Sequence, residues 1–143
     1  MRDEEFVAWL PLLRDDYAHE LVRDYGMSAD KARTEAAAEI DGHRPAGHSV
    51  FVIELDSEPV GHLWLVERRD TFEPTLSVYD IDVDEPYRRR GYGKAAMVFA
   101  EEEARRRGLT RIALRVGARN EGARNLYRSL GFKENEVSMS KLI

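Results

Sequence analysis

Residues 76–94 read Leu76-Ser77-Val78-Tyr79-Asp80-Ile81-Asp82-Val83-Asp84-Glu85-Pro86-Tyr87-Arg88-Arg89-Arg90-Gly91-Tyr92-Gly93-Lys94. Apolar residues alternate toward the end of 76–83, which predicts a strand. Ala95-Ala96-Met97-Val98-Phe99-Ala100 then opens a helix. Strand, basic glycine loop and helix N-terminus together make a construction for holding phosphates. Glycine lets the backbone turn sharply and approach a ligand closely. The first helical N–H groups have no partner within the helix, and the dipole favours an anion there. The loop is neither Gly-x-x-x-x-Gly-Lys-Ser/Thr nor Gly-x-Gly-x-x-Gly. It fits Gln/Arg-x-x-Gly-x-Gly/Ala, as Arg88-x-x-Gly91-x-Gly93.

That spacing resembles motif A of the Gcn5-related N-acetyltransferases, which wraps the pyrophosphate of acetyl-CoA. Val83-Asp84-Glu85-Pro86-Tyr87-Arg88 is similar to the family's strand exit, with Pro86 one place later than in the commonest form. Asn120-Glu121-Gly122-Ala123-Arg124-Asn125-Leu126-Tyr127-Arg128-Ser129-Leu130-Gly131-Phe132 resembles motif B, Asn-x-x-Ala-x-x-Leu-Tyr-x-x-x-Gly-Phe. The match runs from about Val50 to the C-terminus, and the first fifty residues carry none of it.

Around this centre the remaining elements follow from periodicity. Phe6, Leu10, Leu13, Tyr17, Leu21 and Tyr25 recur at spacings of three and four, which predicts a helix over 3–25 with a kink or a start at Pro11. Ser28 is a cap for a second helix, 29–41. A loop follows over 42–47. Strands over 49–55 and 60–67, joined by a turn over 56–59, form an antiparallel hairpin. After a polar loop, 68–75, come the strand 76–83, a helix 92–107, a strand 111–116, a helix 122–130 and a final strand over about 132–142. In Arg105-Arg106-Arg107-Gly108 the cations complement the helix dipole and glycine ends the helix.

This order predicts a single α+β domain over 1–143, with a mixed, mostly antiparallel central sheet flanked by helices. It matches the acetyltransferase fold from its second strand onward. The family's usual first strand is missing, which leaves the next strand at an exposed edge.

Composition excludes several classes. With 143 residues the chain can bury one proper core but not two. A net charge of −5 disfavours wholesale nucleic-acid binding, and no apolar run reaches membrane-spanning length. The acidic opening Met1-Arg2-Asp3-Glu4-Glu5 has no signal-peptide pattern, so a cytoplasmic address is expected. Without cysteine there is no disulfide, thiolate metal site or cysteine nucleophile. His19, His43, His48 and His62 lack metal-ligand spacing, so no metal is expected.

The resemblance implies the roles of individual residues. Arg88, Arg89, Arg90, Gly91, Gly93 and Lys94 would bind the pyrophosphate. Ile81 and Val83 would offer their backbone to pantetheine in a gap between splayed strands, as a peptide augments a sheet edge. Asn120 would contact pantetheine or cap its helix. Tyr127 would protonate the departing thiolate, since a phenol is still protonated at neutral pH. For the general base Asp80 comes first, with Asp82, Glu67, Glu73 and His62 available. Alternation sets Asp80 opposite a face made of Tyr79, Ile81 and Val83, and His62 reads as structural or surface.

The function implied is acetyl-CoA-dependent N-acetylation of a primary amine, by direct attack in a ternary complex. A non-catalytic acyl-CoA-binding regulatory module is the alternative. The acceptor, a small-molecule or peptide amine, is not legible. Its pocket is expected from 6–25, 42–48 and 68–75, where Asp15, Asp16, Glu20 and Glu73 would suit a cation. A homodimer through a sheet edge or an exchanged C-terminal strand is compatible with either reading.

Overall fold

The computed structural model describes residues 3–39, 46–69, 72–139, 141 and 143. The elements run α1 (Asp3–Tyr25), α2 (Ala29–Glu39), β1 (His48–Leu55), β2 (Glu58–Arg68), β3 (Thr75–Val83), α3 (Tyr92–Arg106), β4 (Arg111–Leu114) and α4 (Glu121–Ser129). Pro11 lies inside α1, which is a single helix and does not begin there. The end of the expected second helix with most of the loop after it, 40–45, part of the polar loop, 70–71, and the tail positions 140 and 142 lie outside the described residues.

The sheet has the order β1-β2-β3-β4. β1, β2 and β3 pair antiparallel, and β4 joins β3 in parallel. Asp56 and Ser57, at φ 51° and 71°, join β1 to β2 in a tight turn whose twist suits a two-residue hairpin. β1 stands at the sheet edge, and no strand precedes it among the described residues. No strand forms over 132–139, so the expected final strand is corrected there. Its residues are polar and exposed apart from a few isolated apolar side chains, and Val137 and Met139 bury nothing. β4 likewise stops at Leu114, two residues short of the expected end.

Alternation along the strands divides the core in two. Leu63, Leu65, Leu76 and Val78 face α3, where Ala96, Met97, Ala100 and Ala104 cover them. Trp64, Val66 and Val50 face α1 and pack on Phe6, Leu10 and Leu13. Each fully buried side chain of this kind contributes about 1.5–3 kcal/mol. α2 packs its Ala32 and Ala36 against Ala18 and Leu21 of α1. Small residues there let the two helices approach closely.

One irregularity governs the rest. Trp64 pairs with Asp80 and Leu65 with Val78, so Tyr79 is an extra residue in β3. This bulge reverses the parity of the strand. Ahead of it, Leu76 and Val78 face α3; beyond it Ile81 does. Tyr79 therefore does not share a face with Ile81, as alternation suggested. It packs on the α1 side with Trp64, ring centroids 4.8 Å apart, and donates its hydroxyl to Glu39 Oε1 at 2.9 Å. Asp80 and Asp82, paired with Trp64 and His62, fall on that same side.

Candidate active site

β3 pairs with β2 along its whole length but with β4 only over Thr75–Arg111 to Val78–Leu114. Beyond Val78 the two strands part. The backbone of Asp80, Ile81, Asp82 and Val83 is left without a β4 partner, next to the loop that leads into α3. Ile81 meanwhile packs its side chain on the α3-side core, and Val83 is half-buried.

The loop itself follows from its glycine and its proline. Asp84 precedes a single 3-10 turn, Glu85–Tyr87, with Pro86 supplying a preset φ. Arg89 has φ 62°, and Gly91, at φ 90°, is the cap of α3. Gly91 needs glycine for that angle. Gly93 does not need it for space, since an added Cβ would meet only Leu126 at 3.6 Å. With no side chain at Gly91 to cap it, the first turn of α3 presents its N–H groups outward. Arg89, Arg90 and Lys94 are exposed around it, Arg90 lying over the Tyr87 ring at 5.8 Å. The residues present fit a pyrophosphate.

Arg88 behaves differently from its neighbours. Its Nε donates to the Val83 carbonyl at 2.6 Å and its NH2 to Asp82 Oδ1 at 3.1 Å. It thus ties the loop back to the end of β3. Asn120 caps α4, its Oδ1 accepting from the Ala123 N–H at 3.1 Å, so of the two expected roles the capping one is seen.

On the α1 side the bulge gathers ionisable groups. His62 Nε2 donates to Asp80 Oδ2 at 2.6 Å, and the His62 ring lies against Trp9, centroids 4.3 Å apart. His62 is 6% exposed, which corrects its reading as a surface residue and makes it a partner of Asp80. Burial pushes the Asp82 carboxyl up, with Arg88 and His62 opposing and Asp80 adding. Burial, then Asp82, likewise pushes Asp16 of α1 up. Tyr127 on α4 is pushed up by burial and then by Asp80 and Glu20, so its phenol keeps its proton. Asp16, Asp80, Asp82 and His62 are thus coupled on the α1 side, while Tyr127, which feels Asp80 and Glu20, packs its ring on the α3-side core beside Phe132.

The other candidates separate from it. Glu67 faces α3, where Arg107 NH1 reaches it at 3.5 Å. Glu73 pairs with Arg111 at 2.7 Å at the opposite end of β3. An open cleft of about 320 Å³ there is lined by Arg68, Phe72, Glu73, Thr75, Ser77, Arg111 and Ala113. His48 opens β1 and accepts from Trp64 Nε1–H at 3.0 Å, and burial pushes its pKa down, so it stands as a neutral acceptor. Among the described residues no cluster of three or more His, Asp or Glu could hold a metal, and no helix is long and apolar enough to cross a membrane.

Arg107 was legible only as part of a helix end. It also spans the α3 side, bonding Glu103 at 3.0 Å and Ser49 at 3.2 Å. The Glu103 pair sits at helical spacing, but no local pattern could have revealed the bonds to Ser49 and Glu67, which lie 58 and 40 residues away.

Comparison with known proteins agrees with this geometry. The family model described as the acetyltransferase (GNAT) family matches residues 7–132. The uncharacterized N-acetyltransferase YycN of Bacillus subtilis is 31% identical over 147 aligned positions, covering 99% of this chain and 94% of that one. Its crystal structure superposes with a TM-score of 0.88, covering 100% of this chain and 95% of that one. The [ribosomal protein bS18]-alanine N-acetyltransferase of Escherichia coli is 40% identical over 61 residues, 43% of this chain and 41% of that one. A structure of AAC(6')-Iy in complex with a CoA-containing bisubstrate analog, 17% identical, has a TM-score of 0.63 and covers 95% of this chain and 92% of that one. That likeness speaks to fold alone.

Proposed function

The chain belongs to the acetyltransferase (GNAT) family, and from that premise we propose that it moves the acetyl group of acetyl-CoA to a primary amine by direct attack in a ternary complex. The observation that carries the reading is the parting of β3 from β4 beyond Val78, beside the open N-terminus of α3.

Acetyl-CoA supplies an activated acyl carbonyl and a thiolate leaving group. The N–H groups at the start of α3, with Arg89, Arg90, Gly91, Gly93 and Lys94, hold the pyrophosphate. Arg88 joins them only by releasing Val83 and Asp82. The free backbone at Ile81 and Val83 receives pantetheine and orients the thioester. Asn120 holds the start of α4, and with it the position of Tyr127. Asp80 takes a proton from the incoming ammonium, freeing the nitrogen lone pair. Tyr127 gives its proton to the departing sulfur. With no cysteine in the chain, a thioester on the enzyme is not available.

Asp16, Glu20 and Asp82 surround this point with negative charge, so the acceptor is a cationic amine. Glu73, paired elsewhere, takes no part.

Calorimetry with acetyl-CoA, followed by a screen of primary amines for CoA release, tests the proposal. Binding and release are both expected. A protein that does not bind acetyl-CoA overturns it. Tyr127→Phe separates the enzyme from a binding-only module: acetyl-CoA affinity should survive while turnover falls by about 10²-fold.

A further inference from the structure

Asp80 makes a short bond to a buried partner. Its side chain is 32% exposed, while that of His62 is only 8% exposed. The histidine stands behind the carboxylate, away from solvent. Its Nε2–H takes Oδ2 at 2.6 Å, and among the described residues no hydrogen bond reaches Oδ1. The ring is itself fixed. Trp9 of α1 meets it edge-on, with centroids at 4.3 Å and planes at 66°. Asp82 is its cross-strand neighbour on β3, and Val52 on β1.

We propose that His62 is the positioning residue of the base: it anchors Oδ2 of Asp80 and leaves Oδ1 aimed at the ammonium of the acceptor. This deepens the acetyltransferase reading and rests on it. The choice of partner has a physical reason. An arginine here would take both carboxylate oxygens and hold the group as a spent ion pair. An imidazole offers a single N–H on this side, which orients without occupying the second oxygen. The anchor also answers a problem of crowding. Asp16 and Asp82 repel Asp80, and an untethered carboxylate would swing away from them into solvent. In the transfer, one ammonium proton moves to Oδ1, the freed nitrogen forms its bond to the acyl carbon, the carbon–sulfur bond breaks as the Tyr127 hydroxyl protonates the thiolate, and the second nitrogen proton returns to the Tyr127 oxygen as the amide forms. His62 gains and loses no proton.

Two measurements test this. The first needs no substrate. Proton NMR of the free protein should show an exchange-protected, downfield imidazole N–H from His62, and Asp80→Ala should abolish it. Its absence in the wild type overturns the anchor. The second compares His62→Ala with His62→Gln, whose amide N–H can replace Nε2–H. The amines are a panel of diamines, amino-acid amides and short peptides, read as CoA release. For His62→Ala, kcat should fall about 10²-fold, the cost of a misplaced catalytic group, with acetyl-CoA affinity by calorimetry unchanged. His62→Gln should recover to within about tenfold of wild type. Equal loss in both variants, or no loss in either, reduces His62 to a filler of space and overturns the proposal. Should His62→Ala not fold, His62→Gln and the NMR comparison decide. Wild-type protein that acetylates none of the panel and binds no acetyl-CoA defeats the acetyltransferase reading, while the NMR result still decides the anchor.

Discussion

Both faces of the sheet carry buried or half-buried charge, and they treat it in opposite ways. On the α3 side Glu103, 7% exposed, is gripped by Arg106 at 2.6 Å and Arg107 at 3.0 Å, and Arg107 goes on to Glu67 and Ser49. The hydrogen bonds from Arg106, and then from Arg107, hold the Glu103 carboxyl below its ordinary range against burial, which pushes it up. On the α1 side Asp16 is pushed up by burial and then by Asp82, and Asp82 by burial and by Asp80, against the pull of Arg88 and His62. In the first group hydrogen-bonded arginines prevail over burial. In the second burial prevails, and a cationic substrate would offset it. A protein tolerates such an imbalance where a ligand is to arrive.

The largest expected effect falls on the α1 side. Asp80→Asn should cut turnover by about 10²–10⁴-fold while leaving thermal stability and acetyl-CoA affinity intact. Turnover kinetics beside calorimetry would show it. An equal fall in stability would place Asp80 with the structural charges instead. Next comes the α3 side. Glu103→Ala removes the shortest carboxylate partner of Arg107, leaving it Glu67 and Ser49, and should cost about 3 kcal/mol in a denaturant titration. The pH dependence has a definite sign. A carboxyl held below its ordinary value contributes stability above that value and loses it as pH falls through the depressed one. Wild type should therefore lose the advantage over Glu103→Ala in acid.

The smallest effect has the opposite sign. Asp16 is raised above its ordinary 3.8, so its ionised form opposes folding once the pH exceeds that value. Asp16→Asn should raise the melting temperature by about one degree at pH 7. The gain should fade as the pH drops through 3.8 and vanish well below it, where the wild-type carboxyl is neutral in both states. Scanning calorimetry at the two pH values would check it. A gain that persists in acid would remove charge as the cause.

What was readable in the sequence was local. Gly91 at a strand–helix junction, the alternation of Leu63 and Leu65, and the cap at Asn120 all express themselves within a few residues, and the structure has them. The surprises belong to pairs of segments. Whether Tyr79 is an extra residue depends on the register of β2 opposite it, which β3 alone does not carry. His62 looked like one more alternating position because Asp80, which gives it a purpose, reaches its face only through that bulge. Residues 132–139 read as a strand because apolar and polar residues mix there, but the stretch has too little to bury.

The bulge at Tyr79 has a consequence in the language of inheritance. The outer half of β3 depends on register rather than on letters. Deleting Tyr79 would join Val78, opposite Leu65, directly to Asp80, opposite Trp64, so the ladder would run unbroken and both carboxylates would keep their side. Taking Tyr79 into the ladder opposite Trp64 instead would turn Asp80 and Asp82 toward Leu63 and Met97 and present Ile81 and Val83 to the α1 side. Point substitutions can therefore retune the acceptor side one residue at a time, whereas one slip of pairing would scramble it at a stroke.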